Sequence, residues 1–475
     1  MRITAKLYLK HGMKNYNKKM MNQAYRFLHM ALITLCIVLA ACSSEDDTVS
    51  EPKKVLEAGK TYSMTVNASK GGGTSRALSL SGSTLNASWA TTEDVYFCDR
   101  GDIYFTGSLR PQTGGELETT LNGSITCSHT LTLPLALTLI FPRKDWDYTV
   151  QRGTIADIAA NYDYMTAPIN LSELTTSGIG ASTSVAFTSQ QAIVKFTLQD
   201  KNNGDAAINA TSLRISASGL AQSVDVVHDG DAYTFTNTPG DITVTPASET
   251  SDIWVALRGI SGKPVRLTAS DGTNTYVYSR NNVTFNHGQY YERIVKMKKI
   301  TEGTELSAVT SDYIGCVVGQ DGRVYSTPAK ATAASTTAVA MIAYVGSESN
   351  CTHGLAIALA DENKTMTQSA ASTAASGKTS VSGGAWRLPT LQDWQYMLIG
   401  CGNGATYSAT PETVDATALT SKLATLGAAL TSTATYWSSV VYIAPNFEGT
   451  TVNLSFSDAL NDGLSPYYVR ACLAF

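Results

Sequence analysis

The sequence predicts a mainly β protein, with two β-sandwiches followed by an α+β domain. Short runs that alternate apolar and polar residues recur from residue 61 to about residue 300, separated by Gly, Asn, Asp and Pro turns. Apolar stripes at helical spacing appear only beyond residue 305. The chain has 475 residues, 16% of them charged, and a formal net charge of −4. That length corresponds to two to four domains at roughly 100–200 residues each. The charge is small and negative, which argues against a phosphate-binding surface, so no nucleic-acid partner is expected.

The first 41 residues read as a signal peptide and are set aside from the fold. Arg2, Lys6, Lys10, Lys14, Lys18, Lys19 and Arg26 make a positive leader, within which Met20 and Met21 offer alternative starts. Ala31 to Ala41 is an apolar run too short to span a bilayer but long enough for a signal core. It ends in Leu39-Ala40-Ala41-Cys42, which resembles the bacterial lipobox. The resemblance implies that Cys42 is lipidated and becomes the new N-terminus, giving an outer-membrane lipid anchor in the precursor. Ser43-Ser44-Glu45-Asp46-Asp47 then looks like a surface-export tag of Bacteroides-type lipoproteins, and it would serve equally as a solvated tether. Cell-surface localisation follows from that reading. After residue 41 no apolar stretch is long enough to cross a membrane.

Residues 42–76 are expected to hold the tether and a first strand. Tyr62, Met64 and Val66 alternate with Thr61, Ser63 and Thr65, giving one apolar face. Ser69-Lys70-Gly71-Gly72-Gly73-Thr74-Ser75-Arg76 reads as an exposed loop. Residues 77–185 and 186–300 are assigned to the first and second sandwich. In the second, Ala192, Val194, Phe196 and Leu198 face one way, and Ile253–Leu257 is a short apolar strand.

Residues 305–475 form the α+β part. Thr390 with Asp393 three residues on is a capping box that opens a helix through Leu391, Trp394, Met397 and Leu398, with Gly400 as its stop. Leu419, Leu423, Leu426 and Leu430 make the stripe of a second helix. Strands are expected at Val339–Val345, Leu355–Leu359, Tyr436–Tyr442, Thr451–Phe456 and Tyr468–Phe475. The Thr-, Ala- and Ser-rich segment 367–380 reads as a mobile loop.

Two stretches carry family resemblances. Arg76-Ala77-Leu78-Ser79-Leu80 through Asn86-Ala87-Ser88-Trp89, followed by Glu93-Asp94-Val95-Tyr96, resembles the start of the fimbrillin-like domain of Bacteroides-type pili. Gly288–Lys298 is similar to that domain's end, so the resemblance covers about residues 55–300. It implies cleavage by an arginine-specific protease between Arg76 and Ala77, removal of the first strand, and its replacement by a strand from a neighbouring subunit. The implied physics is strand addition, in which main-chain bonds give affinity and alternate side chains give register. Other pilus subunits are then the partners, and the mature protein sits in a pilus.

Trp386-Arg387-Leu388-Pro389-Thr390, Tyr436-Trp437-Ser438-Ser439 and Val469-Arg470-Ala471-Cys472-Leu473-Ala474-Phe475 resemble a C-type-lectin-like module. That implies an adhesin whose host or bacterial surface ligand is unknown. Because the chain's end is occupied by this module, no strand is evident for donation, and a tip position is expected. The alternative reading is a surface-anchored, monomeric glycan- or protein-binding lipoprotein.

Chemistry-bearing motifs are sparse. The Glu-Pro-Asn, Gln-Pro-Asp and Trp-Asn-Asp tripeptides of calcium-dependent lectins do not occur, and Asp458, Asn461 and Asp462 read as a polar turn. Six cysteines remain after Cys42: Cys98, Cys127, Cys316, Cys351, Cys401 and Cys472. Six permit fifteen pairings, and none forms a CxxC pair or lies at zinc-finger spacing. The lectin-like resemblance implies a structural disulfide between Cys401 and Cys472, ahead of a catalytic role for the pair. With no Gly-x-Ser-x-Gly elbow, P-loop or dinucleotide fingerprint, the expectation is no enzyme, no cofactor and no metal. His353 reads as a turn residue, and Trp386, Trp394 and Trp437 as core.

Overall fold

The computed structural model describes residues 54–475, apart from 71–78, 82–83, 87, 99–103, 143, 177, 182, 230–231, 363, 403–405, 410–412, 432–434, 440–441, 449–450 and 458–465. Cys42, Arg76 and Ala77, the signal peptide, and Asp458, Asn461 and Asp462 therefore lie outside the described residues. The protein is mainly β, with several sheets and five short α-helices among the described residues.

The first sheet has eight strands: β1 (Thr61–Lys70), β2 (Tyr96–Cys98), β3 (Phe105–Pro111), β4 (Glu118–Cys127), β5 (Leu135–Phe141), β6 (Met165–Leu174), β7 (Gly178–Ala181) and β8 (Val185–Ser189). Their order is β2-β5-β6-β7-β1-β4-β3, and β8 pairs with both β6 and β1. An antiparallel bridge between Val95 and Leu109 joins the two ends, so the sheet curls around one core. Alternation in each strand supplies that core, as with Tyr62, Met64, Val66 and Ala68 of β1 and Leu121 and Ile125 of β4.

The second sheet comprises β9 (Gln191–Asp200), β10 (Ser212–Ala217), β11 (Ile242–Val244), β12 (Asp252–Arg258), β13 (Ile260–Ser270), β14 (Thr275–Phe285) and β15 (Tyr290–Lys299), with Ala206–Ala207 at one edge. Strand β9 lies between β15, which is parallel to it, and β12, which is antiparallel. A hairpin, Ala221–Asp229 with Ala232–Pro239, pairs with Trp146–Asp147 to make a further three-stranded sheet. The sequence assigns segment 146–164 to the first sandwich, yet Trp146, Tyr148, Ile158, Tyr162 and Tyr164 pack into the second core. The fully buried Gln151 ties it there. Its amide donates to the Tyr148 and Ala256 carbonyls at 2.9 and 2.8 Å and accepts from the Ala256 N–H at 2.7 Å. Helix α1 (Ile155–Asn161), capped by Thr154, covers β12.

The third sheet is antiparallel. It contains β16 (Val317–Gly319), β17 (Arg323–Tyr325), β18 (Ala338–Val345), β19 (Gly354–Ala358), β20 (Ala385–Arg387) and β21 (Cys472–Ala474), with Thr304–Glu305 at one edge. In β18, Ala340 and Ile342 face one core while Met341 and Ala343 face another, and Leu355 and Ile357 of β19 oppose Ala356 and Ala358 in the same way. A sheet covered on both faces needs continuous apolar strands, which is how these segments read. The helices here are α2 (Pro328–Ala333), α3 (Gln368–Ser376), α4 (Leu391–Cys401) and α5 (Thr417–Thr425).

Three local expectations are corrected. Segment 367–380 is helical in its middle, because Ala is the best helix former and Ala371 and Ala375, one turn apart, are buried. Helix α4 has the expected capping box but runs past Gly400, and ends at Gly402, whose φ of 100° suits only glycine. Gly400 instead brings the helix onto β18, since a Cβ there would sit against the Ala343 carbonyl oxygen, well inside contact distance. The leucine stripe is helical only through Leu423. Leu426 caps α5, and Leu430 is buried beyond it.

The close approach of α4 to β18 makes Gly400→Ala an overpacking change. It is expected to destabilise the α+β part by about 1–3 kcal/mol, read as a lower urea midpoint by circular dichroism and tryptophan fluorescence.

Candidate functional site

Strand β1 occupies an interior place in the first sheet. It pairs antiparallel with β4 from Thr61 opposite Thr126 to Ser69 opposite Glu118. On its other edge it runs parallel to β7 and then β8, with Ile179 opposite Met64 and Phe187 opposite Lys70. Burial along it alternates strictly through Ala68, with Thr61, Ser63, Thr65 and Asn67 exposed. The outward row bonds to β4: Thr61 Oγ1 lies 2.8 Å from Thr126 Oγ1, and Thr120 Oγ1 donates to Asn67 Oδ1 at 3.2 Å. Each fully buried Met or Val on the inner row is worth about 1.5–3 kcal/mol. Without β1, therefore, the sheet would present two unpaired edges and an apolar slot.

The strand runs further than its sequence pattern shows. Lys70 is expected in an exposed loop, but its side chain is wholly buried as the last inward residue of β1. Its ammonium lies 2.8 Å from Glu93 Oε2 and donates to the Ser88 carbonyl at 3.1 Å. It also sits over the rings of Trp89 and Phe141, at 4.3 and 4.6 Å from their centroids. Trp89 packs edge-on against Phe187 at 5.3 Å. The next acid, Asp94, faces outward and takes Arg110 at 2.7 Å and Ser108 at 3.0 Å; the Arg110 hydrogen bond is the largest influence holding its carboxyl below the usual range. The signal for Lys70 was present in the sequence: it stands two residues beyond Ala68, in register with the apolar row.

Of the three motifs that prompted the lectin-like expectation, the first and last pair in the third sheet, and the second lies beside it through a bridge from Tyr436 to Tyr468. Trp386 lies opposite Leu473, and Arg387 opposite Cys472. Arg387 donates to Asp393 Oδ1 at 2.6 Å and to the Ser349 and Asn350 carbonyls at 2.9 Å each. Arg470, almost fully buried, pairs with Asp361 and donates to the Ala358 carbonyl at 3.1 Å. The Tyr436 hydroxyl donates to Asp361 Oδ2 at 2.9 Å, and Trp437 Nε1 to the Met366 carbonyl at 2.6 Å. Trp386, Trp394 and Trp437 are buried. His353 Nε2 is 2.7 Å from the Val309 carbonyl. These groups hold the fold together, and their charges are matched locally.

Cys401 and Cys472 are not bridged, and no disulfide joins any of the six described cysteines. The Cys401 thiol points to the Ala343 carbonyl at 3.7 Å, and that of Cys472 toward Asp393 Oδ2 at 4.0 Å. Burial pushes Cys401 up to about 11. Burial, and then the Asp393 charge, push Cys472 higher still, so neither is a thiolate at neutral pH. Among the described residues no cluster of three or more His, Cys, Asp or Glu could hold a metal ion.

A cavity of about 740 Å³ opens between the second sheet and helices α4 and α5, lined by Ser218, Asp241, Arg266, Ser311, Cys401 and Lys422 among others. Arg266 donates into the Asp312 carbonyl at 2.5 Å. Burial lowers the pKa of Lys422, which lines the same wall. The lining is of mixed charge, with Asp241 and Asp312 beside Lys263, Arg266 and Lys422.

Against known proteins, no family model matches the chain and no curated protein matches it. Solved structures do align with about half of it. A fimbrial assembly protein from Parabacteroides distasonis is 14% identical, with 51% of this chain and 92% of that one covered at a TM-score of 0.28. A candidate cell adhesion protein from Bacteroides uniformis is 15% identical, with 50% and 96% covered at 0.28. A shaft pilin from Lactobacillus rhamnosus is 8% identical, with 51% and 99% covered at 0.23.

Two outcomes follow from the site. Intact mass should be the same before and after reduction, and Cys401 and Cys472 should resist iodoacetamide at pH 8 until the chain is denatured. Arg470→Met should cost about 3–5 kcal/mol by stranding Asp361, measured as a lowered urea midpoint, with Arg470→Lys falling between.

Proposed function

We propose that the chain is a pilus subunit that is exported as a Cys42-linked lipoprotein, cut between Arg76 and Ala77, and assembled by exchanging β1 for a neighbour's strand. One observation carries this reading: the strand on the N-terminal side of the cut is an interior strand, bonded at both edges. Losing an edge strand would merely shorten a sheet, whereas losing an interior strand creates a strand-shaped vacancy. While the chain is intact, β1 is held at the high effective concentration of a tethered segment. Cutting the tether turns that into an ordinary bimolecular contact which a competitor can win.

The subunit belongs at the tip in this reading. Strand β21 lies between β19 and β20 and bonds to both, so lending it to a neighbour would open the third sheet. The α+β part, expected to be lectin-like, is then the portion presented outward as an adhesin. The cavity between the second sheet and helices α4 and α5 favours a second reading, a surface-anchored monomer that binds a glycan or a protein and is never cut.

N-terminal sequencing and intact mass of protein from the native cell surface separate the two. A lipid-free chain beginning at Ala77 is expected, and Arg76→Ala should leave an acylated chain beginning at Cys42 that does not enter pili. Acylated wild-type chain alone would favour the monomer, and immunogold label along the shaft would remove the tip assignment.

A further inference from the structure

The Lys70–Glu93 pair is divided by the proposed cut. Lys70 leaves with β1, while Glu93, Ser88, Trp89 and Phe141 stay in the body of the subunit. Glu93 is 2% exposed, and among the described residues Lys70 is the sole hydrogen-bond partner of its carboxylate, whose other oxygen is buried without one. A strand that refilled the slot with apolar residues alone would restore the main-chain bonds and the core. It would still leave a carboxylate buried against two aromatic rings with no cation. Breaking one side of a buried ion pair in this way is far costlier than never having built it.

We propose that the vacated groove selects its incoming strand by charge: the donor segment carries alternating apolar residues followed, in the same register, by a lysine that replaces Lys70 against Glu93. The inference rests on the strand-exchange reading and makes it specific. Four inward positions, now Tyr62, Met64, Val66 and Ala68, accept any apolar set of similar size. The fifth does not, because it alone faces a fixed charge. A donor slipped by two residues would still place apolar side chains inward, since the period is two. It would then set an apolar residue on Glu93 and lose the pairing. The lysine therefore fixes register as well as identity, with an unpaired charge as the penalty for the wrong strand.

The test uses the exported chain cut after Arg76, with its own first strand still seated, and a labelled peptide of residues 61–70 added in excess. Incorporation is followed by fluorescence anisotropy and native mass spectrometry. The wild-type peptide should exchange in, and the Lys70→Met peptide should bind about a hundredfold more weakly. On a Glu93→Gln chain the two peptides should bind alike, because the charge they are read against is gone. Equal binding of both peptides to the wild-type chain would overturn the charge selection and leave strand exchange standing. Failure of every peptide to enter would overturn strand exchange, and the selection with it. The peptide arm needs no variant protein, so poor folding of the Glu93→Gln chain would not spoil it.

Discussion

A strand in the middle of a sheet is hydrogen-bonded along both edges, and the first sheet depends on this being true of β1. Its ten residues join β4 to β7 and β8, and its inner row reaches the core that every other strand of that sheet shares. Backbone groups buried without partners are costly, so a first sheet without β1 would carry that cost along two edges. Whatever fills it must be extended, apolar on alternate positions, and long enough to satisfy both neighbours. Geometry of this kind would leave the fold incomplete if the strand were removed.

Charge is handled in the same manner at both ends of the protein. Lys70 with Glu93, Arg387 with Asp393 and Arg470 with Asp361 each place a cation against an acid in a site largely closed to water. Such pairs contribute little net stability compared with apolar replacements, yet breaking one is expensive. They act as address labels for elements distant in sequence: Arg470 is held to the segment after β19, and Lys70 to the turn after Trp89.

Much of this was legible in the residues. Period-two alternation located β1 and β9, and continuous apolar runs located β18 and β19, because burial on one face or two writes directly into composition. The Thr390–Asp393 box marked the start of α4. The misses have physical causes. Segment 367–380 looked like low-complexity loop until tertiary contact buried Ala371 and Ala375. Lys70 looked like loop because a lysine is rarely buried, and its acid lies 23 residues away. The Cys401–Cys472 bridge failed because adjacency in a fold says nothing about where two thiols point. Segment 146–164 crossed its expected boundary through Gln151, a contact 105 residues long that no local pattern records.

The placement of β21 has a consequence for biogenesis. Residues 472–474 are the interior piece that joins β19 to β20, so the third sheet stays open until they arrive. Formation of this sheet therefore waits on residues 472–474, and a chain lacking them would leave both neighbouring strand edges bare. Chains without those residues would expose a sticky, protease-sensitive surface.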